Sequence, residues 1–480
     1  MNGPHDCTGP LGCQRVSTAE HALELIIGPA ERVSRDRTKL VKKTRRRNVR
    51  PVGYTRAVMA PPSPVRTTQH NISLSDIDDD AYRVIRRLHQ CGFEAYLVGG
   101  SVRDLLLGKR PKDFDLVTSA RPNDVRRIFR NCRLIGRRFR LAHLLFANGK
   151  VLDVATFRAE PFGTEDGQAE LITDDNEFGT SETDARRRDF TVNALFYDPQ
   201  STEVTDWVGG LKDLEARILR TIGEPVTRFR EDPVRMLRAV KFAARTGFHI
   251  DEPGRAAIRQ ERKQLKKAAV PRLYEEILRM LWGGAGARSF ELMDELGLLE
   301  ILLPELSAWL SRGEGDPAEA LRALLATVDA KFGGRQQIEN GVLLSTLFWP
   351  AFSSLIAGRP RAGDAGVARK LAEELIGPAA IRLRMPRKDV GTLLTCLDLQ
   401  LRIAQAGPKR TARIQVARHA GFPDALDLLA LRTEAEGLDE DSLAEWESLR
   451  DVPRQAEPEE EGFGGGHGGG AGRGKRRRRR

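Results

Sequence analysis

The chain has 480 residues, 40% of them hydrophobic and 30% charged, with a formal net charge of +11 and an isoelectric point near 9.6. Such a length supports two to four domains with sizeable cores, and such a charge suits a polyanionic partner. No apolar run approaches the roughly eighteen residues of a membrane span. The opening MNGPHDCTGPLG lacks the basic and apolar regions of a signal peptide. Cys7, Cys13, Cys91, Cys132 and Cys396 are scattered without zinc-site spacing, which fits a reducing cytoplasm.

Residues 1–72 carry the basic cluster KKTRRR and then PPSP, and read as a disordered basic arm able to meet RNA backbone. Residues 73–76 look like a cap for a helix over 78–90, with Ala81, Val84, Ile85 and Leu88 on one face and Gly92 as its stop. A strand over 94–98 then feeds Gly99-Gly100-Ser101. Two glycines after a strand let the backbone approach a bulky anion, and the next helix, around 102–107, offers N–H groups to phosphate. A turn over 108–111 leads to Lys112-Asp113-Phe114-Asp115. On a strand, Asp113 and Asp115 would share a face. Paired carboxylates repel unless a cation lies between them, and hard oxygen ligands suit Mg²⁺ carrying a phosphate.

A helix is predicted over 122–129. Asn148-Gly149, between two β-like runs, then signals a hairpin. Its second arm, KVLDVATF, points Val151, Asp153 and Ala155 one way and Leu152, Val154 and Thr156 the other. A carboxylate inside an apolar strand is either an edge position or a third metal-proximal group. Residues 158–182 are polar and acidic, a mobile loop by composition. In RRRDFTVNAL, read as a helix start, Asp189 and Asn193 fall on one face with Arg188 beside them. Arginine is the preferred fork for phosphate oxygens. Downstream, Asp232-Pro233 looks like a helix start and Gly247 a stop. Asp232, Arg235 and Arg238 share a charged face opposite Met236, Val240 and Ala243. Helices continue to about residue 450, broken near 312–317, 331–335 and 357–366. An acidic and glycine-rich stretch then ends in KRRRRR, a solvated tail suited to salt-dependent RNA attraction.

These ordered motifs resemble those of the class II nucleotidyltransferases of the polymerase-β-like superfamily: bacterial poly(A) polymerases and tRNA CCA-adding enzymes. The likeness covers roughly residues 80–300. It implies an α+β chain: a nucleotidyltransferase head with a mixed β-sheet over 73–218, a helical neck over 219–303, a helical body over 304–452 and disordered basic termini from 1–72 and 453–480. It also implies two-metal phosphoryl transfer from ATP to an RNA 3′ end, with two Mg²⁺ ions on Asp113 and Asp115 and with Asp153 or Asp189 completing the carboxylates. Gly99, Gly100, Ser101, Arg103 and Arg188 would hold the triphosphate, and Asp189 and Asn193 the sugar and site geometry. Asp232 and Arg235, with Arg238 on the same face, would read the base edge. GRRFRLAH at 136–143 and the arginine-rich end favour the poly(A) branch, whereas Asp153 stands where that branch is expected to carry Glu. The implied partners are RNA and ATP, with an RNA helicase or degradosome contact open. The alternatives are a CCA- or A-adding tRNA enzyme and a catalytically idle RNA-binding adaptor.

Overall fold

The computed structural model describes residues 63–136, 141–159, 177–312, 315–333, 338–357 and 365–454. Residues 1–62 of the basic arm, residues 137–140 of GRRFRLAH, most of the acidic loop and the tail from 455 lie outside the described residues. Residues 63–72 correct the reading of a disordered arm over 1–72, since Val65–Thr67 form a strand paired with Val204–Asp206.

Eight strands form one sheet: β1 (Val65–Thr67), β2 (Ala95–Val98), β3 (Asp115–Thr118), β4 (Cys132–Ile135), β5 (Leu141–Leu145), β6 (Val151–Thr156), β7 (Leu195–Asp198) and β8 (Glu203–Asp206). Their order is β1-β8-β7-β2-β3-β6-β5-β4. Neighbours are antiparallel except β3 and β6, which run parallel, so the sheet is mixed. Strand alternation sorts the side chains. Leu97, Leu116 and Val154 join the core on one face, while Val98, Val117 and Phe196 form a separate cluster on the other.

Helix α1 (Asp79–Gln90) buries Ala81, Val84, Ile85 and Leu88, as their spacing predicts. Its cap differs from expectation. Asp78 Oδ1 accepts from the N–H of Asp80 and Ala81, each at 3.0 Å, whereas Ser73 opens a separate 3-10 turn. Helices α2 (Gly100–Leu106) and α3 (Pro122–Ile128) follow β2 and β3, α4 (Ser181–Arg187) precedes β7, and α5 (Gly210–Glu215) follows β8. Asp206 fixes that last connection by accepting the N–H of Val208, Gly209 and Gly210 at Oδ1 and of Leu211 at Oδ2.

A short parallel pair, β9 (Ile218–Leu219) and β10 (His249–Ile250), marks the passage into helices. Asp232-Pro233 separates α6 (Pro225–Glu231) from α7 (Val234–Thr246), and Gly247 stops α7 at φ +75°. There follow α8 (Glu252–Glu261), α9 (Val270–Trp282), α10 (Gly286–Glu295), α11 (Leu299–Leu302), α12 (Pro304–Arg312) and α13 (Pro317–Phe332). The body ends with α14 (Asn340–Ala357), α15 (Ala365–Leu383), α16 (Arg387–Gln405), α17 (Arg410–Ala417), α18 (Phe422–Glu436) and α19 (Glu440–Glu447). The three expected breaks fall between α12, α13, α14 and α15. Helix α14 corrects the expectation of no span-length apolar run: it has 18 residues, a mean hydropathy of 1.3, and 67% of it is buried. It packs against α13, α16 and α18 as a core helix of the body.

Candidate active site

A cleft of about 470 Å³ lies between the head and helices α7, α9 and α10. It gathers Gly99, Gly100, Ser101, Arg103, Asp113 and Asp115 from one side of the sheet motif, then Arg188, Asp189 and Asn193, and finally Arg238. Asp153, Asp232 and Arg235 do not line it.

Strand β2 ends at Val98, directly opposite Asp115. Gly99 then turns the chain at φ +79°, a conformation that suits glycine, and a Cβ there would lie 3.5 Å from Arg188 Nη1 and 3.8 Å from Asp115 Oδ2. Strand β3 begins only at Asp115. Asp113 therefore precedes the strand instead of sharing a strand face with Asp115, a correction to the sequence reading. The two still meet in the cleft wall. Ser101 turns its hydroxyl back to the Val98 carbonyl at 3.1 Å.

Asp153 stands opposite Asp115 in the parallel register, on the face that also carries Val117 and Ala155. Its Oδ1 lies 3.3 Å from Nε2 of His143, its register partner on β5. Asp115 is exposed at the start of its strand, yet the cleft walls withdraw enough solvent from its carboxyl to push it above its ordinary range; Asp153 and Asp113 push in the same direction, and Arg188 opposes them. A divalent cation would relieve this strain between carboxylates, so the donor chemistry at Asp113 and Asp115 fits one. No third carboxylate, histidine or cysteine joins them at ligating distance among the described residues.

The helix predicted to start at 185–195 is absent. Helix α4 ends at Arg187, Arg188 and Phe190 are extended, and a 3-10 turn covers Thr191–Asn193. Phe190 bridges to Thr221 and is fully buried, which holds this backbone open. Asp189 and Asn193 still touch, with Asn193 Nδ2 3.5 Å from Asp189 Oδ1. Asp184, buried on α4, takes Arg188 Nε and Nη2 at 3.1 and 2.9 Å and itself accepts the Arg158 N–H. The guanidinium is thereby aimed, with Nη1 beside Gly99.

Arg103 is 1% exposed and already engaged: Nε and Nη2 donate to Asp104 Oδ1 at 2.9 and 2.7 Å, and Nη1 donates to Asn193 Oδ1 at 2.6 Å. Asp189 turns to the neck, where Arg238 donates to its Oδ2 at 2.8 Å through Nε. Burial alone would raise the Asp189 pKa, but Arg238 outweighs it and holds the carboxyl below the ordinary range. Asp189 thus joins head to neck. Away from the cleft, Asp232 receives both Nη atoms of Arg272 at 3.0 and 2.8 Å, and Arg235 donates to Glu231 and to the Arg228 carbonyl, each at 3.0 Å.

Sequence reasoning missed Asp184, and also the cleft residues Asp104, Lys112, Lys241, Phe242, Arg245, Arg279 and Trp282. For α7 the signal was present. Arg238, Lys241, Phe242 and Arg245 recur at three- and four-residue spacing and carry the cleft-facing stripe one to three turns beyond Asp232.

A mixed sheet with a glycine turn, an arginine fork and adjacent carboxylates, mounted on a helical body, defines a nucleotidyltransferase. The family model "Poly A polymerase head domain" matches residues 95–220, "Probable RNA and SrmB- binding site of polymerase A" residues 247–310, and "Polymerase A arginine-rich C-terminus" residues 368–480. Poly(A) polymerase I of Salmonella typhimurium is 38% identical over 408 residues, 82% of this chain and 86% of the relative. That of Haemophilus influenzae is 39% identical over 397 residues, 80% and 86% respectively. The chain belongs to the poly(A) polymerase I family. A CCA-adding enzyme of Lactobacillus helveticus is 36% identical over 227 residues, 47% of this chain and 56% of that one. Among solved structures, the Bacillus stearothermophilus CCA-adding enzyme in complex with CTP aligns with a TM-score of 0.54 at 28% identity, covering 77% of this chain and 80% of that one.

Proposed function

We propose that the cleft transfers AMP from ATP to RNA 3′ ends without a template. The observation that carries this reading is the convergence of the Gly99 turn, the Asp184-aimed Arg188 and the crowded Asp113 and Asp115 carboxylates in one cleft. The turn at 99–101 and Arg188 hold the triphosphate. Arg103 and Asn193 hold Asp189 and the sugar-side wall. Asp113 and Asp115 would hold Mg²⁺, two ions in this reading, with Asp153 behind them. Held there, such ions would supply activation of the 3′-hydroxyl and charge neutralisation at the pyrophosphate. Asp232 and Arg235 are assigned to the adenine edge, which requires exchange of their present partners Arg272 and Glu231. The scattered cysteines support a cytoplasmic setting. The neck, where the RNA- and SrmB-binding family model matches, is assigned to RNA and to a helicase or degradosome partner.

The test is primer extension with Mg²⁺ on an unstructured RNA and on a tRNA lacking its 3′ end, with ATP or CTP supplied singly. Long ladders on the unstructured RNA with ATP alone are expected. Addition confined to the tRNA and stopping after one to three nucleotides would instead establish a CCA-adding enzyme, and no addition on either an idle adaptor.

A further inference from the structure

The position of the triphosphate, which rests on the function just proposed, constrains the path of the second substrate. In phosphoryl transfer the attacking and leaving oxygens lie roughly in line across the phosphorus. With the triphosphate on Gly99 and Arg188 of the head, the facing α7–α9 wall is the side of the cleft left to the attacking strand.

That wall is cationic. Arg238, Lys241, Arg245 and Arg279 line it, facing Arg103, Asp104 and Asp189 of the head. Behind them a single buried carboxylate, Glu276, has Lys241 at 2.5 Å, Arg279 at 3.6 Å and Arg238 at 3.9 Å. Arg279 also reaches the exposed Glu275 at 2.5 Å. Asp104 is shared between Arg103, at 2.7 Å, and the 40% exposed Arg245, at 3.4 Å. Burial, together with the charges of Arg238 and Arg279, holds the Lys241 ammonium below its ordinary pKa in spite of Glu276. An anionic ligand would relieve this field.

Trp282 closes α9 at the same end of the cleft. Its indole Nε1–H is buried without a hydrogen-bond partner among the described residues. A cationic track beside a flat aromatic ring is how single-stranded nucleic acid is held, with charge on the backbone and the ring against a base.

We propose that Arg245, Arg279 and Trp282 seat the 3′-terminal nucleotide of the primer RNA, the two guanidiniums on its phosphodiester and the indole against its base. A tail or arm that attracts RNA elsewhere cannot reproduce a terminus-specific signal. The probe is therefore an oligoadenylate carrying 2-aminopurine at its 3′ end, compared with one carrying it at the 5′ end, bound to the full chain.

The wild-type protein is expected to quench the 3′ probe selectively. Trp282→Ala abolishes that quench and raises the KM for primer about tenfold, while Trp282→Phe restores it. Arg245→Gln and Arg279→Gln each raise the primer KM and flatten its salt dependence by about 0.7 in log–log slope. The KM for ATP stays within about twofold in all four variants. Thermal unfolding of each variant reports whether it is folded. Unchanged primer KM and quench in folded variants would overturn the proposal, as would a rise in the KM for ATP alone, which would give these cations to the nucleotide. Absence of any ATP incorporation by the wild-type protein would instead sink the proposed function.

Discussion

The two walls of the cleft are held in different ways. On the head side, Asp113, Asp115 and Gly99 owe their places to the backbone: a strand that ends at Val98, a glycine at positive φ and a parallel register that sets Asp153 beside Asp115. On the neck side, Arg238 and Lys241 owe theirs to carboxylates brought from other elements, Asp189 and Glu276, and Arg279 meets Glu276 within its own helix. The same contrast separates two carboxylates of one cleft. Asp115 is pushed up by loss of solvent and then by the like charges of Asp153 and Asp113, whereas Asp189 is paired and held down. A carboxylate left unsatisfied is available for a cation; a carboxylate already paired is a strut.

If that contrast is right, Asp113→Ala or Asp115→Ala removes chemistry without removing the fold. Nucleotide addition falls by about 10³-fold or more, the equivalent of several kcal/mol, while RNA binding measured by fluorescence polarisation is retained. Substantial residual extension would break the assignment.

Asp189→Asn should instead act on stability. Breaking a buried pair from one side costs about 3 kcal/mol, read as a lower urea midpoint at neutral pH. Because the folded-state pKa of Asp189 is depressed, the stabilisation is present above the ordinary carboxylate value and is lost as pH falls through the depressed value. The gap between wild type and variant should therefore stay constant at neutral pH and close only in acid. A gap that closed near neutrality would contradict the strut reading.

Asp184→Asn tests aiming. It weakens two charge-assisted bonds to Arg188, and the KM for ATP should rise about tenfold, with a smaller change in kcat. A change confined to kcat would place Arg188 elsewhere in the reaction.

The smallest expected effect on stability is that of Asp232→Ala. Its pair with the half-exposed Arg272 is worth about 1 kcal/mol or less. Preference for ATP over CTP should nevertheless fall, in single-nucleotide extension assays. Unchanged preference would remove Asp232 from base reading.

Much of the head was legible because its determinants are local. The apolar spacing of α1, the Asn-Gly hairpin and the alternation in KVLDVATF all appear as expected. The resemblance to nucleotidyltransferases rested on such stretches and held. Local signals failed where distant partners decide backbone or orientation. Residues 188–190 look helical by spacing, yet Phe190 pairs with Thr221 and is drawn into the core. Arg103 lines the cleft, as a phosphate ligand should, but Asn193, ninety residues away, already accepts from its Nη1. Asp232 and Arg235 stand on the expected face of the neck, and what the sequence did not show is that Arg272 of α9 pairs with Asp232 and that the cleft is met farther along α7.

The sequence by itself determined the chemistry available: which residues could bind phosphate or a hard cation, and the strand and turn that present them, since both follow from dihedral preference and period. Tertiary structure decided which of those groups remain free. Satisfaction of a buried charge depends on what the fold packs against it: Glu276 on α9 reaches Lys241 on α7, and Asp104 on α2 reaches Arg245 on α7.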